Sequence, residues 1–203
     1  MDGVGLDEHG RAGRLPDVVD ACDGAVDPDD LSGASRAAID VDPHACRRLE
    51  YPRVTPELFV PSEFVVPLRL ETPQFVLEPL GPQHNDADYA AWSSSVEHIH
   101  ATPGWEESSW PRSMTLDENR ADLERHAADF ESRTGFAYTV LSPGGDVIGC
   151  VYIYPVPDEV VDARVLSWVR ASEADLDAPL WRAVSGWVES DWPFENVEYA
   201  ARD

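Results

Sequence analysis

The segment 136–154 constrains the fold of this chain more than any other. FAYTVL (136–141) and VIGCVYIY (147–154) are β-branched and aromatic runs of strand length, and SPGGD (142–146) between them holds the Pro, Gly and Asp of a tight reversal. That pattern predicts a β-hairpin. A third run, ARVLSWVR (163–170), follows the loop PVPDEVVD and returns as the next strand. Two further strands are read outside this meander: QFVLEPL (74–80), closed by Gly81-Pro82, and NVEYAA (196–201).

Helical spacing fills the intervals. Tyr89, Trp92 and Val96 stand three and four apart and predict one helix over Asn85–Ile99. Thr115-Leu-Asp-Glu118 fits a capping box, in which hydroxyl and carboxylate each satisfy an orphan backbone N–H. Leu116, Leu123, Ala127 and Phe130 give that helix a buried stripe, running to about Arg133. Asp177 reads as the N-cap of a third helix, APLWRAVSGWVESDW, with Pro179 in its first turn. The order is β-α-α-β-β-β-α-β. The fold class is α+β (mixed α/β), with a central, largely antiparallel twisted sheet flanked by helices.

Residues 1–53 have a different texture. DACDGAVDPDDLSGASRAAIDVDPHACRRLEYP is dense in Asp, Gly and Pro and lacks a sustained apolar period, so an acidic, disordered or loosely docked extension is expected, with a short helix near Leu31–Ile39. Residues 54–73 are rich in proline and predict an extended segment on the surface of the folded part, and 74–203 form the domain itself.

Charge removes several function classes. The 203 residues carry 39 Asp+Glu against 15 Lys+Arg, a formal net charge of -24, and every basic residue is Arg. Without lysine there is no Schiff base and no P-loop lysine. Binding to nucleic acid or to an anionic membrane surface needs clustered cations that this balance does not supply. No apolar run reaches membrane-spanning length, and the start lacks a basic-then-apolar signal pattern, so a cytoplasmic protein is expected. Cys22, Cys46 and Cys150 are an odd, sparse set that predicts no disulfide framework, although Cys22 and Cys46 are able to pair. His44 with those two cysteines fits no standard metal spacing, and no metal is expected. Cys150, in mid-strand, reads as a small buried hydrophobe.

From residue 69 onward the chain resembles the GCN5-related N-acetyltransferase (GNAT) superfamily. RLETPQFVLEPLGPQHNDADYAAW is similar to the opening of its ribosomal-protein-acetylating branch, where R-L-x-T-x-x-[FL]-x-L-x-P-L is common. VIGCVYIY resembles that family's glycine-containing strand, and SWVR (167–170) resembles its fourth strand. The resemblance implies acetyl-CoA as co-substrate, lying where two central strands splay apart. Its pantetheine pairs with the exposed edge of the strand carrying Trp168, Val169 and Arg170, the expected cofactor-binding residues. It also implies a loop, [QR]-x-x-G-x-[GA], that holds the pyrophosphate on helix N-terminal amides.

This sequence departs from the pattern at that loop. In ASEADLDAP (171–179), Ala174 stands where Gln or Arg is expected, and Asp175 and Asp177 stand where glycines belong. No glycine occurs between Gly149 and Gly186. Two carboxylates beside a pyrophosphate cost about 1 kcal/mol or more each when partly desolvated. Asp side chains there are able to cap the helix, occupying the amides a phosphate would use, and Arg170 compensates in part. The family also continues past its fifth strand, often to a Tyr serving as general acid, whereas here the sequence stops shortly after NVEYA.

Within this frame Glu97 and Tyr152 are the catalytic candidates, for amine deprotonation and thiolate protonation. Val169 offers its backbone N–H to the thioester carbonyl. His98, His100, Trp105 and Tyr154 are the substrate-side candidates. Each has a plain alternative: a helix-end pair for the histidines, amphipathic-strand positions for Tyr152 and Tyr154, and packing for Trp105 and Trp110. Trp92, Trp168, Trp181 and Trp187 read as core. Two functions from different classes follow. One is an N-acetyltransferase acting on a small-molecule or peptide amine, with acidic walls favouring a cationic acceptor. The other is a non-catalytic module of the same fold, with acetyl-CoA binding lost. The final strand, at the sheet's edge, is a candidate for pairing with a second copy in a homodimer.

Overall fold

Every run read as a strand is extended and paired. The computed structural model describes residues 59–157 and 160–202. The expectations for residues 1–53, for Cys22, His44 and Cys46, and for the first part of the proline-rich segment lie outside these residues. The elements are β1 (Leu70–Glu71), β2 (Val76–Pro79), α1 (Asn85–Ser93), α2 (Val96–Ala101), α3 (Leu116–Ser132), β3 (Phe136–Leu141), β4 (Val147–Tyr154), β5 (Ala163–Val169), α4 (Asp177–Asp191) and β6 (Val197–Tyr199).

The six strands form one mixed sheet in chain order, β1-β2-β3-β4-β5-β6, antiparallel at every step except β5–β6, which is parallel. Helix α4 makes the crossover that a parallel pair requires. The two faces are covered separately, which is why the central strands read as nearly continuous apolar runs. Phe136, Tyr138, Val140, Val151, Ile153, Val165 and Val169 meet Leu180, Val184, Trp187 and Val188 of α4 on one face. Ala137, Cys150 and Trp168 meet Trp92, Ile99, Trp105 and Leu123 on the other.

The capping box is present as predicted: Thr115 Oγ1 accepts from the Glu118 N–H at 3.2 Å, and Glu118 Oε2 accepts from the Thr115 N–H at 2.7 Å. The single helix expected over Asn85–Ile99 is two. Ser94 Oγ donates back to the Ala90 and Ala91 carbonyls, and Ser95 leaves helical geometry at φ -134°, so α1 ends at Ser93 and α2 starts afresh at Val96. Asp177 is not an N-cap. A 3-10 turn over Ala171–Leu176 runs straight into α4, so Asp177 is already helical at φ -61°, ψ -50°, and its carboxylate is spent elsewhere.

Residues 59–69 lie along the α4 side of the sheet. Val60 is fully buried, and Phe59, Phe64 and Val66 pack on the same core. Arg133 Nη2 donates to the carbonyls of Pro61 and Phe64, and the Tyr138 hydroxyl donates to that of Pro67, satisfying an extended chain that has no strand partner there. No helix among the described residues is long and apolar enough to cross a membrane.

Candidate functional site where β5 leaves β6

β5 is laddered against β4 over its whole length, from Tyr154–Arg164 to Gly149–Val169. Against β6 it is paired only at Ala163–Val197, Arg164–Glu198 and Val165–Tyr199. Beyond Val165 the two parallel strands separate, leaving the second half of β5 with a free edge. The Ser167 carbonyl points to that edge, and the two-residue strand repeat turns the amide of Val169 the same way. Ser167, Trp168 and Val169, beyond the last β5–β6 pair, are fully buried.

The surroundings of this edge come from three other parts of the chain. The loop after α2 brings Trp105, only 6% exposed, to the edge, where its indole N–H donates to the Ser167 carbonyl at 2.8 Å. Gly104, at φ +92°, lies close against Leu166 and Ala200; a side chain there would contact both. Tyr199 closes the β6 side, its hydroxyl 2.6 Å from Ser167 Oγ. Burial holds the Tyr199 phenol above its ordinary range, at about 12, opposed by the Ser167 hydrogen bond and by nearby Arg202. The Arg202 side chain enters from beyond β6. Its Nε donates to Asp177 Oδ2 at 2.7 Å, and its Nη2 to the Ser167 carbonyl at 3.2 Å.

The expected site residues divide by position. Trp168 and Val169 are fully buried at the free half of β5, and the Trp168 indole donates to the Tyr152 hydroxyl at 3.4 Å. Arg170 ends the strand, its N–H on the Ile148 carbonyl at 2.7 Å, with its buried Nε unpartnered. Tyr152 pairs with Leu166, level with the start of the opening, and its ring packs on Trp105 and His126. Burial pushes its phenol well above the usual range, so it is a proton donor and not a phenolate at neutral pH.

Others are placed elsewhere or are already engaged. Tyr154 pairs with Arg164 at the closed end of β5, and its hydroxyl lies between Asp129 Oδ2 (2.9 Å) and His126 Nδ1 (2.7 Å), so it does not reach the gap. Trp105 does not line an open acceptor pocket, because its indole is fastened to β5. His100 Nε2 binds the Pro111 carbonyl at 3.1 Å, tying α2 to the loop after it. His98 is half-buried with an unpartnered Nε2, and Glu97 is exposed on α2. No group of three or more metal-ligating side chains occurs among the described residues.

Beyond Val165 no strand pairs with the β6 side of β5, and its Ser167 carbonyl is bonded to Trp105 and Arg202. The loop that follows does not suit a pyrophosphate. Residues 171–176 are a 3-10 turn carrying Glu173 and Asp175, and the Ala171 N–H is already taken by Ser95 Oγ at 2.9 Å. Sequence reasoning missed Ser95, Ser167 and Arg202. The one available signal for Arg202 was its isolation, as the sole cation after Arg182.

No family model matches this sequence, and no curated protein does. Among solved structures, the chain is similar to a ribosomal-protein-S5-alanine acetyltransferase from Vibrio fischeri, with 14% identity over 60% of this chain and 67% of that one, and a TM-score of 0.48. It is also similar to the microcin C7 self-immunity acetyltransferase in complex with acetyl-CoA and AMP, with 9% identity, 61% and 66% covered, and a TM-score of 0.47. A GCN5-related N-acetyltransferase from Brucella melitensis matches at 19% identity, 64% and 58% covered, with a TM-score of 0.46.

Proposed function

We propose that the domain is an N-acyltransferase of the GNAT kind, with the gap between β5 and β6 as the seat of the acyl donor. One observation carries this reading: the parallel ladder stops at Val165–Tyr199, so Ser167 and Val169 present a backbone edge that no strand of the sheet occupies. An extended amide-bearing arm pairs with such an edge as an added strand would.

On this reading the chain's own residues take the following roles. The Val169 N–H faces the gap as the donor toward a thioester carbonyl, where a fixed dipole stabilises developing negative charge. Tyr152, level with Leu166, holds a phenolic proton for a leaving thiolate. Glu97, exposed on α2, is the base toward an incoming amine. The net charge of -24 favours a cationic acceptor, such as a polyamine, an aminoglycoside or a protein N-terminus. Acetyl-CoA is the donor to test first. A homodimer through the β6 edge and a cytoplasmic setting are parts of the same proposal.

A second reading has its own observation. The acidic 3-10 turn over Ala171–Leu176 and the engaged Ala171 N–H favour a binding module that no longer takes up coenzyme A. Calorimetric titration with acetyl-CoA separates the two, followed by thiol release in the presence of candidate amines. The acyltransferase reading fails if neither the natural chain nor a folded variant lacking the Arg202 side chain takes up the thioester at millimolar concentration.

A further inference from the structure

Arg202 lies three residues past Tyr199, the last paired residue of β6, yet it is among the most buried charged groups described, at 8% exposure. All three of its guanidinium nitrogens are bonded there. Nε binds Asp177 Oδ2 at 2.7 Å, Nη1 binds the Ala200 carbonyl at 2.7 Å, and Nη2 reaches the Ser167 carbonyl at 3.2 Å and Ser167 Oγ at 3.5 Å. The guanidinium carbon stands 5.7 Å from the centre of the Tyr199 ring. These partners belong to the three walls of the opening: the free edge of β5, the first turn of α4, and β6.

We infer that Arg202 is a plug: the chain closes its own donor gap in cis, so that docking of the 200–202 segment and binding of an acyl thioester along β5 exclude each other. The inference rests on the acyltransferase reading and names a regulation of that site. The Ser167 carbonyl has two lone pairs, and both are taken, one by the Trp105 indole and one by Arg202. An arm pairing with β5 must displace at least one of them. Arg202 is the one able to leave, because residues 200–202 lie past the last strand pair of β6 and take no part in the sheet, whereas Trp105 is packed among Trp110 and Tyr152. The plug also accounts for Asp177 at a place where an anion site would want no carboxylate: its charge is matched by the guanidinium at the opening.

A ligand that needs the undocked state binds with an affinity reduced by the fraction of time that state is populated. Removing the plug therefore raises affinity without adding a contact. The variant to test is Arg202→Met combined with Asp177→Asn, which leaves no unpaired buried charge, beside the natural chain and Arg202→Lys. Calorimetry with acetyl-CoA is expected to show at least tenfold tighter binding to the double variant than to the natural chain. Hydrogen exchange supplies an independent readout. Acetyl-CoA added to the natural chain is expected to protect the amides of 166–169 and to speed exchange in 197–202.

Equal affinities in the folded double variant and the natural chain overturn the plug and leave the acyltransferase reading intact. So does thioester binding with the 197–202 amides unchanged. If the thioester binds neither protein, the acyltransferase reading falls and the plug with it.

Discussion

The carboxamide Nδ2 of Asn119 lies 3.0 Å from Oδ2 of Asp88, and both residues are sealed between α1 and α3 at 3% exposure. The same carboxamide accepts from the Trp92 indole at 2.9 Å and donates to Asn85 Oδ1 at 3.0 Å. Asn119→Leu leaves the buried Trp92 indole N–H without its acceptor and leaves the Asp88 carboxyl with only the Cys150 thiol. A loss of about 3 kcal/mol is expected in urea unfolding, well beyond the ~1 kcal/mol of one ordinary hydrogen bond. A loss under 1 kcal/mol would show that water replaces the carboxamide there.

Asp88 also gives stability a definite pH dependence. Burial raises its pKa, opposed by the Asn119 hydrogen bond and by the Cys150 thiol, which donates to Oδ1 at 3.4 Å. The folded state therefore holds this proton at pH values where the unfolded chain has released it. The contribution of Asp88 is fully present below the ordinary carboxylate range and is lost as pH rises through the raised value. Asp88→Asn cannot lose it. The stability of Asp88→Asn relative to the natural protein is expected to increase from pH 4 to pH 7 in parallel denaturant titrations. A difference that stays flat, or falls, contradicts the assignment.

Hydrophobic period and turn chemistry made most of the fold legible, because each depends on neighbours in sequence. The hairpin 136–154 and the Thr115 capping box are local events and were read correctly. The break in the first helix was not, since it depends on Ser94 choosing the Ala90 and Ala91 carbonyls. Asp177 looked like a cap because Asp before a helical pattern usually is one. Its true partner, Arg202, is 25 residues away and is brought there by the β6 crossover. The contents of the gap were hidden for the same reason: Trp105 and Ser167 are 62 residues apart. A strand's residues predict that it pairs, but where pairing stops is decided by what the other strand does.

The Thr115 cap has a separable energy. Thr115→Ala removes the hydroxyl that accepts from the Glu118 N–H and leaves an orphan donor at the start of α3. A loss of about 1 kcal/mol is expected by thermal or chemical unfolding, and Thr115→Ser should restore most of it. If Ser fails to restore what Ala removes, the threonine methyl and not the cap is responsible.

Trp105→Phe tests the loop that closes the gap. A six-membered ring is kept against Trp110 and Tyr152, while part of the buried indole is lost together with its donor to the Ser167 carbonyl. Arg202 still satisfies that carbonyl, so the expected cost, about 1–3 kcal/mol, is mostly that of the vacated volume. The double variant with Arg202→Met leaves the carbonyl with neither partner. Its cost should exceed the sum of the single losses, and a strictly additive double-mutant cycle would mean the two donors do not share one acceptor.

Gly149 sets how closely β4 and β5 approach at the far end of the free edge, opposite Val169. A Cβ at this position would lie 2.1 Å from the Trp168 carbonyl oxygen, a backbone atom that no rotamer change can move. The backbone conformation itself is ordinary, so the requirement is for space and not for a left-handed turn. Gly149→Ala must push β5 outward next to Trp168 and Val169, weakening the bond from the Arg170 N–H to the Ile148 carbonyl at 2.7 Å. A destabilisation of about 1–3 kcal/mol is expected, together with a changed near-ultraviolet circular dichroism signal, because the Trp168 ring rides on the displaced strand. Gly186→Ala, with open space at its Cβ on α4, is the control and should stabilise slightly. If Gly149→Ala is as stable as the natural chain, β5 is not held against β4 at this point, and the free edge is wider than the ladder implies.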